Sequence, residues 1–159
     1  MRVSFDLDDT IFVSPQKFRT ENELKFPLNK LFKERLRFGT IKLFNYLYEN
    51  NIEIWIYTTS FRSERYIRNL FRCYGLKVNE IINGERHEKK VQRSLSEIMP
   101  SKYPAKYRID LHIDDDVSVM KNGIQYGFNV FIISNQDDKW VEMIIEKITS
   151  IKKLKNQEK

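Results

Sequence analysis

Two carboxylates spaced two apart, Asp6 and Asp8, follow the short apolar run Val3-Ser4-Phe5 and are trailed by Asp9 and Thr10. A strand of an open parallel sheet that ends in Asp-x-Asp delivers both acids to the edge where such sheets bind ligands. Carboxylates this close repel each other, which raises the proton affinity of one of them unless a cation screens the pair. A divalent ion such as Mg²⁺, which takes oxygen ligands and keeps several waters, relieves that repulsion. One acid can then bind the ion and attack phosphorus while the other carries a proton for the leaving group. An EF-hand calcium loop requires Gly at its sixth position and Glu at its twelfth, where this chain has Ile11 and Lys17. The bland alternative is a solvated acidic turn, so the test is whether the rest of the chain supplies the partners this chemistry needs.

Three later segments fit. The β-rich run from Ile52 to Tyr57 stops in Thr58, Thr59 and Ser60, and the stretch Arg65 to Tyr74 carries apolar residues at Ile67, Leu70, Phe71 and Tyr74 before Gly75. That is a strand, a hydroxyl cluster and a helix amino terminus, an arrangement whose free N–H groups and dipole favour phosphate. The hydroxyls can equally cap the helix. Thr58 is the expected phosphate contact, with Thr59 beside it. A second strand, around residues 109–113, runs into Asp114, Asp115 and Asp116. Three adjacent carboxylates are electrostatically poor without a cation, so Asp115 is expected as a direct metal ligand, with Asp114 behind it or reaching the ion through water. A plain charged turn is the alternative. Between these segments stand Lys89, Lys90, Lys102 and Lys106. Lys102, just upstream of the acidic strand, is the expected phosphate-binding cation, and Lys106 is the runner-up.

The order of Asp-x-Asp-x-Thr from Asp6 to Thr10, a hydrophobic strand ending in Thr58, a lysine, and a hydrophobic strand ending in Asp114-Asp115 resembles the four motifs of the haloacid dehalogenase-like (HAD) superfamily of phosphohydrolases. The stretch Asp110 to Asp116 also looks like a group of small bacterial members. The resemblance implies that Asp6 is the nucleophile that forms an aspartyl phosphate. It makes Asp8 the acid that protonates the leaving group and then activates water. It assigns Mg²⁺ to the side chains of Asp6 and Asp115 and the backbone carbonyl of Asp8, and phosphoryl positioning to Thr58 and Lys102. Because Asp8 is present, it favours hydrolysis of a phosphate ester over dehalogenation.

The elements that must position these residues are legible as an alternation. Strands are expected at 2–6, 52–57, 78–82, 109–113 and 129–133, and helices at 40–50, 63–74, near 90–99, near 117–126 and from about 138. Such alternation predicts an α/β fold, a doubly wound, Rossmann-like parallel sheet of about five strands flanked by helices. Val141, Ile144, Ile145, Ile148 and Ile151 give the last helix an apolar stripe that reads as core. The 159 residues suffice for a single domain with one core. The lone Cys73 can form no internal disulfide, and no apolar run approaches the length of a membrane span. Acids by position 6 argue against an amino-terminal signal, so the cytoplasm is the expected location.

Residues 11–39 form an insertion too short for a folded lid domain, carrying Lys17, Phe18, Arg19, Phe26, Phe32, Lys33, Arg35, Arg37 and Phe38. In the family a cap this small leaves the site open to large substrates or covered by a neighbouring subunit, so an oligomer is allowed for. The formal charge of +6 favours an anionic partner, though much of the excess lies in the basic tail at about 152–159, read as a solvated, frayed end. Arg62 and Arg65, just after Ser60, are candidates to grip a second anionic group. The leading expectation is a Mg²⁺-dependent phosphatase acting on a phosphorylated metabolite, a nucleotide or a nucleic-acid end. The alternative is a non-catalytic or regulatory phosphate-binding module on the same fold. A receiver-like phosphoacceptor would carry its acid on a middle strand, where this chain has Tyr57 to Ser60.

Overall fold

The computed structural model of the chain describes residues 1–94 and 99–157. In chain order the elements are β1 (Arg2–Phe5), β2 (Phe12–Val13), α1 (Leu28–Leu31), β3 (Arg35–Leu36), α2 (Thr40–Glu49), β4 (Glu53–Tyr57), α3 (Glu64–Cys73), β5 (Glu80–Ile82), α4 (Gly84–Lys90), β6 (Leu111–Asp114), α5 (Val117–Tyr126), β7 (Val130–Ile132) and α6 (Trp140–Gln157). The main sheet is parallel throughout, in the order β5-β4-β1-β6-β7. The chain winds outward from β1 to β5, then returns to β6 on the other side. The strand order therefore reverses between β1 and β6, the crevice at which doubly wound sheets bind ligands. A receiver-type sheet has a different strand order.

Period-two alternation divides the side chains between two unlike faces. Val3, Phe5, Ile54, Ile56, Leu111 and Ile113 face a main core closed by Leu43, Phe44 and Leu47 of α2, Ile67, Leu70 and Phe71 of α3, and Val141, Ile144 and Ile148 of α6. The register holds them level, with Phe5 opposite both Ile56 and Ile113. The intervening residues Ser4, Trp55, Tyr57, His112 and Asp114 are buried too, but they build a layer that is aromatic and polar.

Helix starts follow capping chemistry. Ser63, Asn83 and Asp116 each accept a backbone N–H from the first turn of α3, α4 and α5, at 3.2, 3.0 and 2.7 Å. Asn83 also corrects one expectation. The helix anticipated near 90–99 begins at Gly84 and ends at Lys90, followed by a 3₁₀ turn at Gln92–Ser94. Its sequence lacks apolar spacing and is anchored by the cap and the buried His87. Residues 95–98 of that expected helix lie outside the described residues.

One further expectation changes. The basic tail continues α6 as helix through Gln157, with Lys155 paired to Asp110 and Lys152 Nζ 3.5 Å from the Asn50 carbonyl; residues 158–159 lie outside the described residues. Within the 11–39 insertion, β2 and β3 form a small antiparallel ribbon pairing Phe12 with Leu36. Among the described residues no helix is long and apolar enough to cross a membrane.

Candidate active site

Asp6 sits one residue beyond β1 and is anchored by its own N–H, which donates to Ile113 O at 2.9 Å. The chain then turns back on itself: the N–H groups of Ile11 and Phe12 both donate to Leu7 O, at 2.9 and 2.6 Å, and Asp9 takes a left-handed φ of 56°. This tight loop leaves Asp6 buried, 7 % exposed, while the Asp8 side chain is 55 % exposed. Across the crevice, Asp114 ends β6 fully buried and Asp115 follows it. Asp6, Asp114 and Asp115 each bring an oxygen within 4.8 Å of the others. Thr10 fixes Asp115 by donating its hydroxyl to Oδ1 at 3.1 Å.

Lys102 lies among these acids. Its Nζ is 2.7 Å from Asp6 Oδ1 and 2.6 Å from Asp114 Oδ2. It arrives on a loop held to the aromatic face, where the Tyr103 N–H donates to the Tyr57 hydroxyl at 2.8 Å and Pro104 is buried. Lys106, the runner-up, instead reaches the Lys90 carbonyl. Behind Asp114 the chain of contacts continues: His112 Nε2 is 2.9 Å from Asp114 Oδ2, and His112 Nδ1 is 2.8 Å from the Ser4 hydroxyl. The ionised carboxylate can only accept, so Nε2 donates; in a neutral ring Nδ1 then accepts from Ser4.

Burial dominates the electrostatics. It pushes the Asp6 carboxyl up from 3.8 to about 6, against the pull of Lys102 and with the push of the Asp114 charge. Burial likewise raises Asp115, helped by the neighbouring Asp114 charge and opposed by the Thr10 hydroxyl. Asp114 also meets a burial penalty, but the His112 and Lys102 contacts outweigh it and hold the carboxyl well below its usual range. Burial lowers the His112 pKa, so near pH 7 its hold on Asp114 is a hydrogen bond and the compensating positive charge belongs to Lys102. Lys102 stays firmly protonated because the Asp6 and Asp114 charges overcome its burial.

The hydroxyl cluster follows β4. Thr58 is buried and its oxygen accepts the Ser60 N–H at 3.1 Å, which leaves its own O–H to donate; Thr59 beside it is exposed. Arg62 ties this loop to the rest of the site, donating to Ser60 Oγ at 2.8 Å, Asp8 Oδ2 at 2.9 Å and Glu34 Oε1 at 3.0 Å. Tyr66 donates its hydroxyl to the other oxygen of Glu34. Glu34 and Tyr66, along with the Ser4–His112 contact, were not singled out from the sequence. Glu34 lies in a segment with no periodic pattern, and Ser4 reads only as a strand residue.

No protein-family model and no curated protein matches the sequence. Solved structures do match. A HAD-superfamily hydrolase of subfamily IA, variant 1, from Geobacter sulfurreducens PCA aligns over 82 % of this chain and 88 % of its own, with a TM-score of 0.51 at 10 % identity. The fold is HAD-like. A HAD-superfamily hydrolase from Ehrlichia chaffeensis aligns over 91 % of this chain and 97 % of its own, with a TM-score of 0.49 at 14 % identity.

On this HAD-like sheet the donor set suits a hard divalent cation: three carboxylates within 4.8 Å, all oxygen, with buried Asp6 Oδ1 close to Lys102 yet lacking an aligned hydrogen-bond partner among the described residues. The Asp8 carboxylate faces Arg62 and stands outside that cluster.

Proposed function

We propose that the chain is a Mg²⁺-dependent phosphomonoester hydrolase acting through an aspartyl phosphate on Asp6. The observation that carries this reading is a buried carboxylate at the sheet's switch point, 2.7 Å from a lysine amine and within ion-sharing reach of Asp115. In the first step an Asp6 oxygen attacks phosphorus, the P–O bond to the leaving group breaks, and Asp8 transfers its proton to the departing oxygen. In the second, Asp8 takes a proton from water as that water attacks phosphorus, and the bond to Asp6 breaks to release phosphate. Mg²⁺ held by Asp6, Asp115 and the Asp8 carbonyl, with Asp114 behind them, would supply positive charge to the phosphoryl oxygens. Lys102 adds a fixed cation, and the Thr58 and Thr59 loop offers hydroxyl donors. The substrate is a phosphorylated metabolite, a nucleotide or a nucleic-acid end.

The test is turnover of an aryl phosphate with and without Mg²⁺. Asp6→Asn should abolish phosphate release while leaving the circular dichroism spectrum intact, and Asp8→Asn should slow release and let phosphorylated protein accumulate. No turnover across a broad phosphomonoester panel would instead favour a phosphate-binding module.

A further inference from the structure

The insertion and the loop after β7 enclose two adjoining hollows that begin at the candidate site and extend beyond it. The smaller, about 240 Å³, is lined by Asp9 and Asp115 at the site and by Lys17, Phe18 and Asn135. The same three residues, Lys17, Phe18 and Asn135, also line the larger hollow, about 390 Å³, so the two form one path leading away from Asp115. That volume falls within the usual range for a small-ligand site.

The walls of the larger hollow alternate flat cations with aromatic rings. The Arg37 guanidinium carbon lies 5.1 Å from the Phe18 ring centroid and 4.9 Å from that of Trp140, and the Arg19 guanidinium carbon lies 3.6 Å from that of Phe38. Arg37 is nearly buried, tied through one nitrogen to the Ser134 and Asp137 carbonyls at 2.7 and 3.3 Å, while its other terminal nitrogen has no hydrogen-bond partner among the described residues. It serves as a rigid floor, whereas Lys17 and Arg19 are exposed at the rim. Flat faces of this kind hold planar π systems rather than sugars or acyl chains. The Asn135 amide and the Asp138 carboxylate on the same wall offer donor and acceptor groups for the edge of such a ring. Asp137 and Asp138 oppose the three cations, leaving one net positive charge, too little to select a second full phosphate.

We infer that this path binds the nucleoside portion of a nucleoside monophosphate, with the base in the Phe18–Phe38 hollow and the phosphate toward Asp6. The inference rests on the phosphatase reading for where the phosphate lies. The test therefore measures binding and turnover separately. Asp6→Asn protein with Mg²⁺ is titrated by calorimetry with adenosine and uridine monophosphates, each as the 5′ and 3′ isomer, and with ribose phosphate. Wild-type kcat/KM is measured on the same compounds.

At least one nucleotide should bind tenfold or more tightly than ribose phosphate, and adding Phe18→Ala should bring that ratio below about threefold while Phe18→Trp preserves it. Should Phe18→Ala fail to fold, Lys17→Ala and Arg19→Ala at exposed positions should lower the same ratio. Equal affinity for nucleotide and ribose phosphate, binding of neither, or a ratio indifferent to these substitutions overturns the inference. Nucleotide preference without any turnover would uphold the pocket and sink the phosphatase. Turnover without preference would do the reverse.

Discussion

Asp6 concentrates the tension in the site, because the group proposed as nucleophile must be ionised in a place that disfavours its charge. Its pKa of about 6 exceeds the ordinary 3.8, so between those values the folded protein binds more protons than the unfolded chain. Stability should accordingly fall as pH rises from about 4 to 6, by roughly 3 kcal/mol from this group alone. Urea unfolding without Mg²⁺ across that window measures the slope, and Asp6→Asn should flatten it. Lys102→Ala should cost about 3–5 kcal/mol, since it leaves Asp6 and Asp114 buried without their cation. Arg62 holds Asp8 at 2.9 Å, so Arg62→Ala should slow turnover of alkyl phosphates, which need a proton on the leaving oxygen, about tenfold more than turnover of aryl phosphates. Much of the candidate site was legible, because Asp6, Thr58 and Asp114-Asp115 each follow a recognisable apolar run. Lys102 was preferred over Lys106 only for its place just upstream of the acidic strand, since which lysine reaches the acids depends on where a loop crosses the sheet. Glu34 meets Arg62 for the same kind of reason: it comes from a stretch whose partners only the tertiary fold decides.

At the level of elements, regular spacing and caps were enough to place the sheet and most helices. The boundaries of α5 agree with expectation because Asp116 starts it and Gly127, at a φ of 71°, ends it. The two-residue strands β2 and β3 are too short to show any period, and α4 is polar throughout, so neither could be read from pattern. Gly84 shows what holds α4 in place. A Cβ there would lie 2.5 Å from the Thr59 carbonyl oxygen and 3.0 Å from the Phe61 ring. Gly84→Ala should destabilise by about 1–3 kcal/mol, and because the displaced backbone belongs to the hydroxyl loop it should also reduce phosphate release. By contrast, Phe44→Ala in α2 removes a ring packed on Phe5 and Phe71, at centroid distances of 5.3 and 5.6 Å. It should cost about 3–5 kcal/mol in denaturant melts, and the folded fraction should still turn over substrate.

Across the whole molecule, the sheet is stabilised on one side by apolar packing and on the other by a hydrogen-bonded, partly ionic layer beneath the candidate site. Mg²⁺ should therefore act on stability as well as turnover. At a hundredfold excess over its Kd it should add about 2.7 kcal/mol, or some 5–10 °C in Tm, at pH 7. The gain should shrink at pH 5, where Asp6 is largely protonated. The two sides also differ in what secures them. The apolar side is closed by three helices, whereas Lys102 enters on the 99–107 segment, a loop with one 3₁₀ turn that adds no strand to the sheet and is tied by the Tyr103 N–H to the Tyr57 hydroxyl, the Met99 backbone to the Gln92 amide, the Tyr107 carbonyl to Arg2 and the buried Pro104. Such a strap can peel away while the strands beneath it stay zipped. Gentle warming should thus erase activity several degrees before the far-ultraviolet signal changes, and deuterium should enter residues 99–107 ahead of β1 and β4. Heat would disarm this protein before it unfolds it.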